Sequence, residues 1–240
     1  KGALEAALLG RDTVLQPLLI EGVSMPRSPD DVLTQLIADC RRSGWASSTI
    51  PFFYFQSFAR ASGWEPVATR RGDPAISRLR PNTRGDATPQ SISAITGLDE
   101  QALHVDGAHL HSVPDIVVMH STTPNSTPTR IWKPRFEIVH SHAVKHGVFF
   151  VGSGRQTFLA TAVDDCGLRF DPHCMAPADK RARDAWTLLT TYGDVHEHRW
   201  DTPDTLLFVH NRAVLHGRAK AAENEERELT RIAYKTRILK

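Results

Sequence analysis

His104 and Asp106 stand two residues apart in the run Leu103-His104-Val105-Asp106, and a second histidine, His216, ends the run that starts at Asn211. Two imidazoles and one carboxylate can occupy one face of a metal octahedron. Three positions then stay open, room for a bidentate co-substrate and dioxygen on ferrous iron. The chemistry such a set supports is oxygenation, provided the three side chains meet.

They meet only if the chain places them so. Side chains two apart on a strand point to the same face, so His104 and Asp106 converge on one ion if their segment leaves a strand end. Thr205 to His210 is an apolar run that reads as a buried strand, and Asn211 to His216 follows it after a short turn. His216 is then itself a strand residue. In a chain with 12 histidines a His-x-Asp pair is a weak signal by itself, and the surrounding sequence carries the weight.

The stretch Ser91 to Asp106, continued by Val113 to His120, resembles the segment that bears the proximal metal motif in the taurine dioxygenase and clavaminate synthase-like family. Arg169 to Met175 resembles that family's basic-aromatic-Asp motif, and Asn211 to Arg218 resembles its distal motif. The motifs stand in the family's order, from roughly residue 60 to the C-terminus. The resemblance implies a mainly β fold with flanking helices, built on a double-stranded β-helix (jelly roll) core. It also implies an Fe(II)- and 2-oxoglutarate-dependent dioxygenase with His104, Asp106 and His216 as iron ligands. Such an enzyme consumes dioxygen, releases succinate and CO2, and oxidises, most simply hydroxylates, a C–H bond of a small polar metabolite.

A keto acid chelated to iron leaves a distal carboxylate to be neutralised, and the planar guanidinium fork is shaped for that task. By its position after the distal histidine, Arg227 resembles the family's 2-oxoglutarate-binding arginine. Arg231, four residues on and on the same face of a strand, matches the position that in some relatives approaches the acidic group of the substrate. Thr129 falls where the family has a threonine that hydrogen-bonds the co-substrate, although the glycines usual before it are replaced here by Asn125, Ser126, Thr127 and Pro128. His109 and His111 follow the proximal motif, where relatives shape the substrate pocket. Arg218 either orients ligands from behind or is solvated, and Asn211 fits a turn hydrogen bond. His140, His142 and His146 read as surface histidines, because no cysteine or acidic partner completes a metal set. Trp132 and Phe136 fit a core role better than a pocket role. Asp106 argues against halogenation, since related halogenases carry a small residue there.

A different reading stays open on the ligands alone. Two histidines and a carboxylate also hold catalytic zinc, so a zinc hydrolase or a cupin-like binding module is the alternative. Arg227 discriminates, because a hydrolase has no use for it.

Composition narrows the class further. With 240 residues, 40% of them hydrophobic and 23% charged, the chain can bury one sizeable core, and a single domain over 1–240 is expected, with a mostly helical flank over 1–65 and the β core over 66–240. A net charge of +2, with basic and acidic residues interspersed, predicts neither a nucleic-acid nor a membrane partner. The expected partner is a small-molecule substrate, and oligomeric state is not legible. Cys40, Cys166 and Cys174 form no CxxC pattern and leave an odd thiol, which fits the reducing cytoplasm rather than a disulfide framework.

Ser28 as N-cap and Pro29 at the first helical position open an amphipathic helix that ends near Gly44. A second helix is expected over 53–61, a loop over 80–89, and a third helix with Ala182, Ala185, Trp186 and Leu189 on one face. From Leu103 the pattern is mainly β, with strands expected at 116–119, 148–151, 157–163, 168–170 and 206–209.

Overall fold

Ser28 accepts a hydrogen bond from the backbone amide of Asp31, and Asp31 returns one to the Ser28 amide. This capping box starts α1 (Pro29–Ser43), and Gly44, at φ 89°, ends it. The computed structural model that describes the chain covers residues 28–70, 72–89, 91–152, 156–223 and 226–236. After α1 come β1 (Trp45–Thr49), α2 (Phe52–Ala61), β2 (Glu65–Val67), β3 (Ile76–Leu79) and the short α3 (Ile92–Thr96). The flank is therefore not purely helical: β1 pairs along its whole length with a strand far down the chain.

That strand is β12 (Thr205–His210), which lies beside β4 (Ile116–Ser121), itself beside β14 (Leu229–Lys235). With β1 at one edge and β2 and β3 both on β14, they form the largest sheet, antiparallel throughout. A second sheet places β5 (Asn125–Trp132) between β11 (His196–Trp200) and β13 (Leu215–Arg218). A third sets β6 (Val148–Gly152) between β7 (Thr157–Thr161) and β10 (Met175–Pro177). Beyond it lie the small hairpin β8 (Val163–Asp164) with β9 (Gly167–Leu168) and the helices α4 (Phe136–Val139), α5 (His142–His146) and α6 (Lys180–Thr190). Among the described residues no helix is long and apolar enough to cross a membrane, and all three cysteines are free thiols.

All six residues of β4 are buried, because both of its faces are covered. Ile116 and Val118 pack with Leu33 and Phe55 of the two leading helices and with Phe208 of β12. Val117 and Met119 point the other way, toward Ile131 and Trp200 of the second sheet. Truncating a fully buried aromatic such as Phe208 would cost about 3–5 kcal/mol.

The polar strands β5 and β11 have no counterpart in the sequence expectations. Their hydrophobic residues are too few for alternation to show, and pairing with neighbouring strands defines them instead. Of the α2 aromatics only Phe55 is fully buried, while Phe53 and Tyr54 face solvent.

Candidate metal centre and its cavity

Residues 101 to 106 run antiparallel beside β13, so that His104 and His216 exchange backbone hydrogen bonds, each at 2.9 Å. No continuous strand forms there. Leu103 N–H instead donates to the Tyr192 hydroxyl at 3.2 Å and Val105 N–H to the Phe170 carbonyl at 2.7 Å. The alternation of an extended chain nonetheless holds. Leu103 and Val105 are fully buried in the cluster around Phe149 and Phe170, while His104 and Asp106 face the opposite way, into a cavity of about 290 Å³.

Backbone clamps fix that geometry. Asn211 accepts from the Asp106 amide and donates to the carbonyls of Asp106 and Pro114, all at 2.9 Å. The turn hydrogen bond expected of Asn211 is thus made to the metal-motif aspartate. At φ 71°, Gly107 turns the chain sharply after Asp106, and a Cβ there would lie 2.9 Å from the Pro114 ring. Arg169 is buried and donates to the carbonyls of Ala108, Leu110 and His111, which holds the loop beyond the turn.

His104, Asp106 and His216 each offer a ligand atom within 4.8 Å of the other two, and all three are buried. His104 Nε2 lies 3.4 Å from Asp106 Oδ1, and His216 Nε2 lies 3.9 Å from Asp106 Oδ2. The carbonyl of Ala102 sits 2.9 Å from His104 Nδ1. It can only accept, so Nδ1 carries a proton and Nε2 is the ring nitrogen turned toward Asp106. Burial opposes charge on His104, but the hydrogen bond to Asp106 and the nearby Asp171 carboxylate outweigh it and raise its pKa to about 9. His216 goes the other way. Burial drives it down to about 4 despite Asp106, so it stays a neutral imidazole. Asp106 is buried too, yet Arg231 and His104 hold its carboxyl well below the usual carboxylate range. An ionised carboxylate flanked by the Nε2 atoms of two histidines fits a divalent transition metal, whose binding would release the proton that His104 Nε2 shares with Asp106. Among the described residues no other such group occurs.

Arg231 spends its three donor nitrogens on protein. Nη1 donates to Asp106 Oδ2 at 3.0 Å, Nη2 to Thr69 Oγ1 at 2.7 Å and Nε to Ser77 Oγ at 3.1 Å. Arg227 is buried against the same cavity and donates through Nη2 to Thr129 Oγ1 at 3.1 Å. Thr129 Oγ1 also accepts from Trp200 Nε1 at 3.2 Å. Arg218, buried as well, lines the cavity while its guanidinium holds the carbonyls of Gly97, Leu98, Asp99 and Ala219. It ties down the chain that follows α3.

The structure therefore brings His104, Asp106, His216, Thr129, Arg227 and Arg231 to one cavity. His109 and His111 do not line it. His109 Nε2 donates to the Thr69 carbonyl at 2.9 Å, and His111 stacks on Phe158 with ring centroids 4.5 Å apart. Trp132 is buried in the core, Phe136 is on the surface, and His140 stacks on Phe136. Thr69, Ser77 and Trp200 were not legible as site residues, because each acts through a single hydrogen bond to a side chain far away in sequence.

No protein-family model and no curated protein matches the chain. Solved structures do share the fold. One is asparagine oxygenase in complex with Fe(II), 3-hydroxyasparagine and succinate, with 16% identity over 85% of this chain and 79% of that one and a TM-score of 0.61. Another is the non-haem iron oxygenase OrfP in complex with Fe and alpha-ketoglutaric acid, with 15% identity over 86% of this chain and 80% of that one and a TM-score of 0.63. OrfP has also been solved with Fe, succinate and (3S)-hydroxy-L-Arg.

Proposed function

We propose that this chain is an iron(II)- and 2-oxoglutarate-dependent oxygenase that oxidises a C–H bond of a small polar molecule, with succinate and CO2 as co-products. The observation that carries the reading is the meeting, in one cavity, of the His104-Asp106-His216 set with the buried Arg227–Thr129 pair. The iron, 2-oxoglutarate, succinate and hydroxylated amino acids held by asparagine oxygenase and OrfP support it. In this reading the second and first sheets are the two halves of a double-stranded β-helix, with the cavity between them.

Each residue then has a task. His104 and His216 present Nε2, and Asp106 presents one carboxylate oxygen, to Fe(II). Arg231 holds the other carboxylate oxygen and so fixes the plane in which Asp106 binds. Arg227, with the Thr129 hydroxyl beside it, takes the far carboxylate of 2-oxoglutarate in a charge-assisted grip. Trp200 fixes the Thr129 hydroxyl. Bound iron supplies what no side chain can, the reductive activation of dioxygen coupled to decarboxylation of the keto acid. A zinc hydrolase would have no use for a buried arginine aimed at the same cavity. The test is a mass-spectrometric screen of small polar metabolites with Fe(II), ascorbate and 2-oxoglutarate. Substrate-dependent succinate with a product 16 mass units heavier is expected, and hydrolysis without succinate would reverse the reading.

A further inference from the structure

The cavity is lined by Arg70, Arg78, Arg80, Arg218, Arg227 and Arg231, and among the described residues its only acidic lining side chain is Asp106. Three of these arginines are accounted for above: Arg227 by the keto acid, Arg231 by Asp106 and Arg218 by backbone carbonyls that carry no charge. Arg70, Arg78 and Arg80 stand at the mouth. Arg78 and Arg80 share one carboxylate, that of Glu228, which leaves the trio of guanidiniums with two charges unneutralised. No acidic side chain among the described residues pairs with Arg70. The lining also offers Asn82, Thr88, Ser93 and Gln101 for hydrogen bonds and Leu79 and Met119 for apolar contact.

Building on the oxygenase reading, we propose that the substrate is a small organic acid carrying at least two anionic groups, one of which is received by Arg70 with Arg78 and Arg80. The cavity, about 290 Å³, must also hold the keto acid, so what is left suits a molecule of amino-acid size at most rather than a chain or polymer. A substrate with a cationic end meets six guanidiniums and no carboxylate that is not already committed to the metal. Carboxylate, sulfonate and phosphate are all oxyanions that the guanidinium fork can grip, and the apolar patch of Leu79 and Met119 is where the C–H-bearing carbons rest.

The experiment titrates the full chain, loaded with Fe(II) and 2-oxoglutarate under argon, with compounds of matched size by calorimetry. L-aspartate, L-cysteate and O-phospho-L-serine carry the second anion and distinguish its three chemistries. L-asparagine lacks it, and L-arginine replaces it with a cation. At least one diacid should bind about tenfold or more tighter than asparagine or arginine, with affinity falling as salt rises, because Arg78 and Arg80 are solvent-exposed. Arg70→Gln and the paired Arg78→Gln, Arg80→Gln variant should each weaken that diacid about tenfold, and Arg70→Lys should recover part of the loss. Preference for arginine or asparagine, binding of none of the diacids, or unchanged diacid affinity in both variants would overturn the proposal. Binding needs no turnover, so these outcomes leave the oxygenase reading standing. Loss of keto-acid-dependent succinate with the diacid preference intact would instead sink the oxygenase reading alone.

Discussion

Arg231 Nη1 lies 3.0 Å from Asp106 Oδ2, so the metal-motif carboxylate is gripped from behind by an arginine whose remaining donors are anchored on Thr69 and Ser77. The position in sequence led to the expectation of a substrate contact. In the structure Arg231 lines the cavity and bonds Asp106, which on the proposed reading gives it a part in holding the metal. Arg231→Gln should leave the chain folded and lower Fe(II) affinity by about 10–100-fold, the usual effect of losing a partner behind a metal ligand. Anaerobic iron titration monitors this directly. Unchanged iron affinity with weakened substrate alone would return Arg231 to the substrate.

Arg227→Leu removes one side of a buried charge-assisted pair, a loss of about 2–5 kcal/mol, equivalent to at least about tenfold in 2-oxoglutarate affinity. Thr129→Val removes a neutral hydrogen bond worth about 1 kcal/mol and should weaken the keto acid several-fold. Half-saturation by 2-oxoglutarate in a succinate assay orders the two. An Arg227 variant with ordinary half-saturation would remove the co-substrate assignment.

Asn211 makes three hydrogen bonds to the backbone on either side of the Asp106 turn and is fully buried. Asn211→Ala leaves those groups unsatisfied, at about 1–3 kcal/mol for each buried group so orphaned. The melting temperature should fall by several degrees and iron affinity with it. A variant that melts normally would show that the turn holds without the clamp.

Acid should destabilise the metal-free chain in a defined window. Burial depresses His198 and His210 to about 4, as it does His216. Between pH 6.5 and 4 the unfolded chain therefore binds protons that the folded chain refuses, so these three histidines cost nothing above 6.5 and an increasing amount toward 4. His104, raised to about 9, stabilises fully below 6.5 and loses that contribution as pH rises toward 9. Asp106, Asp164 and Asp171, held low by their partners, add their own losses only below the ordinary carboxylate range. Urea midpoints across this range in a chelator should show the decline, and His210→Gln should flatten it. A flat wild-type profile from 6.5 to 4 would contradict the burial of these imidazoles.

Much of the site was legible because its chemistry is written in residue types with few other uses. The motifs around His104, Asp106 and His216, by resembling a known family's in the same order, paired these residues across the chain, and the same resemblance singled out Arg227 by its position after His216. Helices with explicit caps, such as the one opened by Ser28 and Pro29, were readable for the same reason. What escaped was polar and relational. Strands β5 and β11 are defined by their neighbours, and the partners of Arg231 and Thr129 are a threonine, a serine and a tryptophan that no local pattern distinguishes. His109 and His111 illustrate the reverse: adjacency in sequence put them near the pocket, yet the turn at Gly107 carries them to the Thr69 carbonyl and the Phe158 ring instead.

Anaerobic titration of Fe(II) into the wild-type chain and into His216→Ala, each with 2-oxoglutarate present, bears most directly on the metal centre. One iron per wild-type chain and loss of tight binding in His216→Ala are expected, because a three-ligand site deprived of one member loses affinity and geometry together. Iron bound by His216→Ala as tightly as by the wild type would contradict the assignment of the centre to His104, Asp106 and His216.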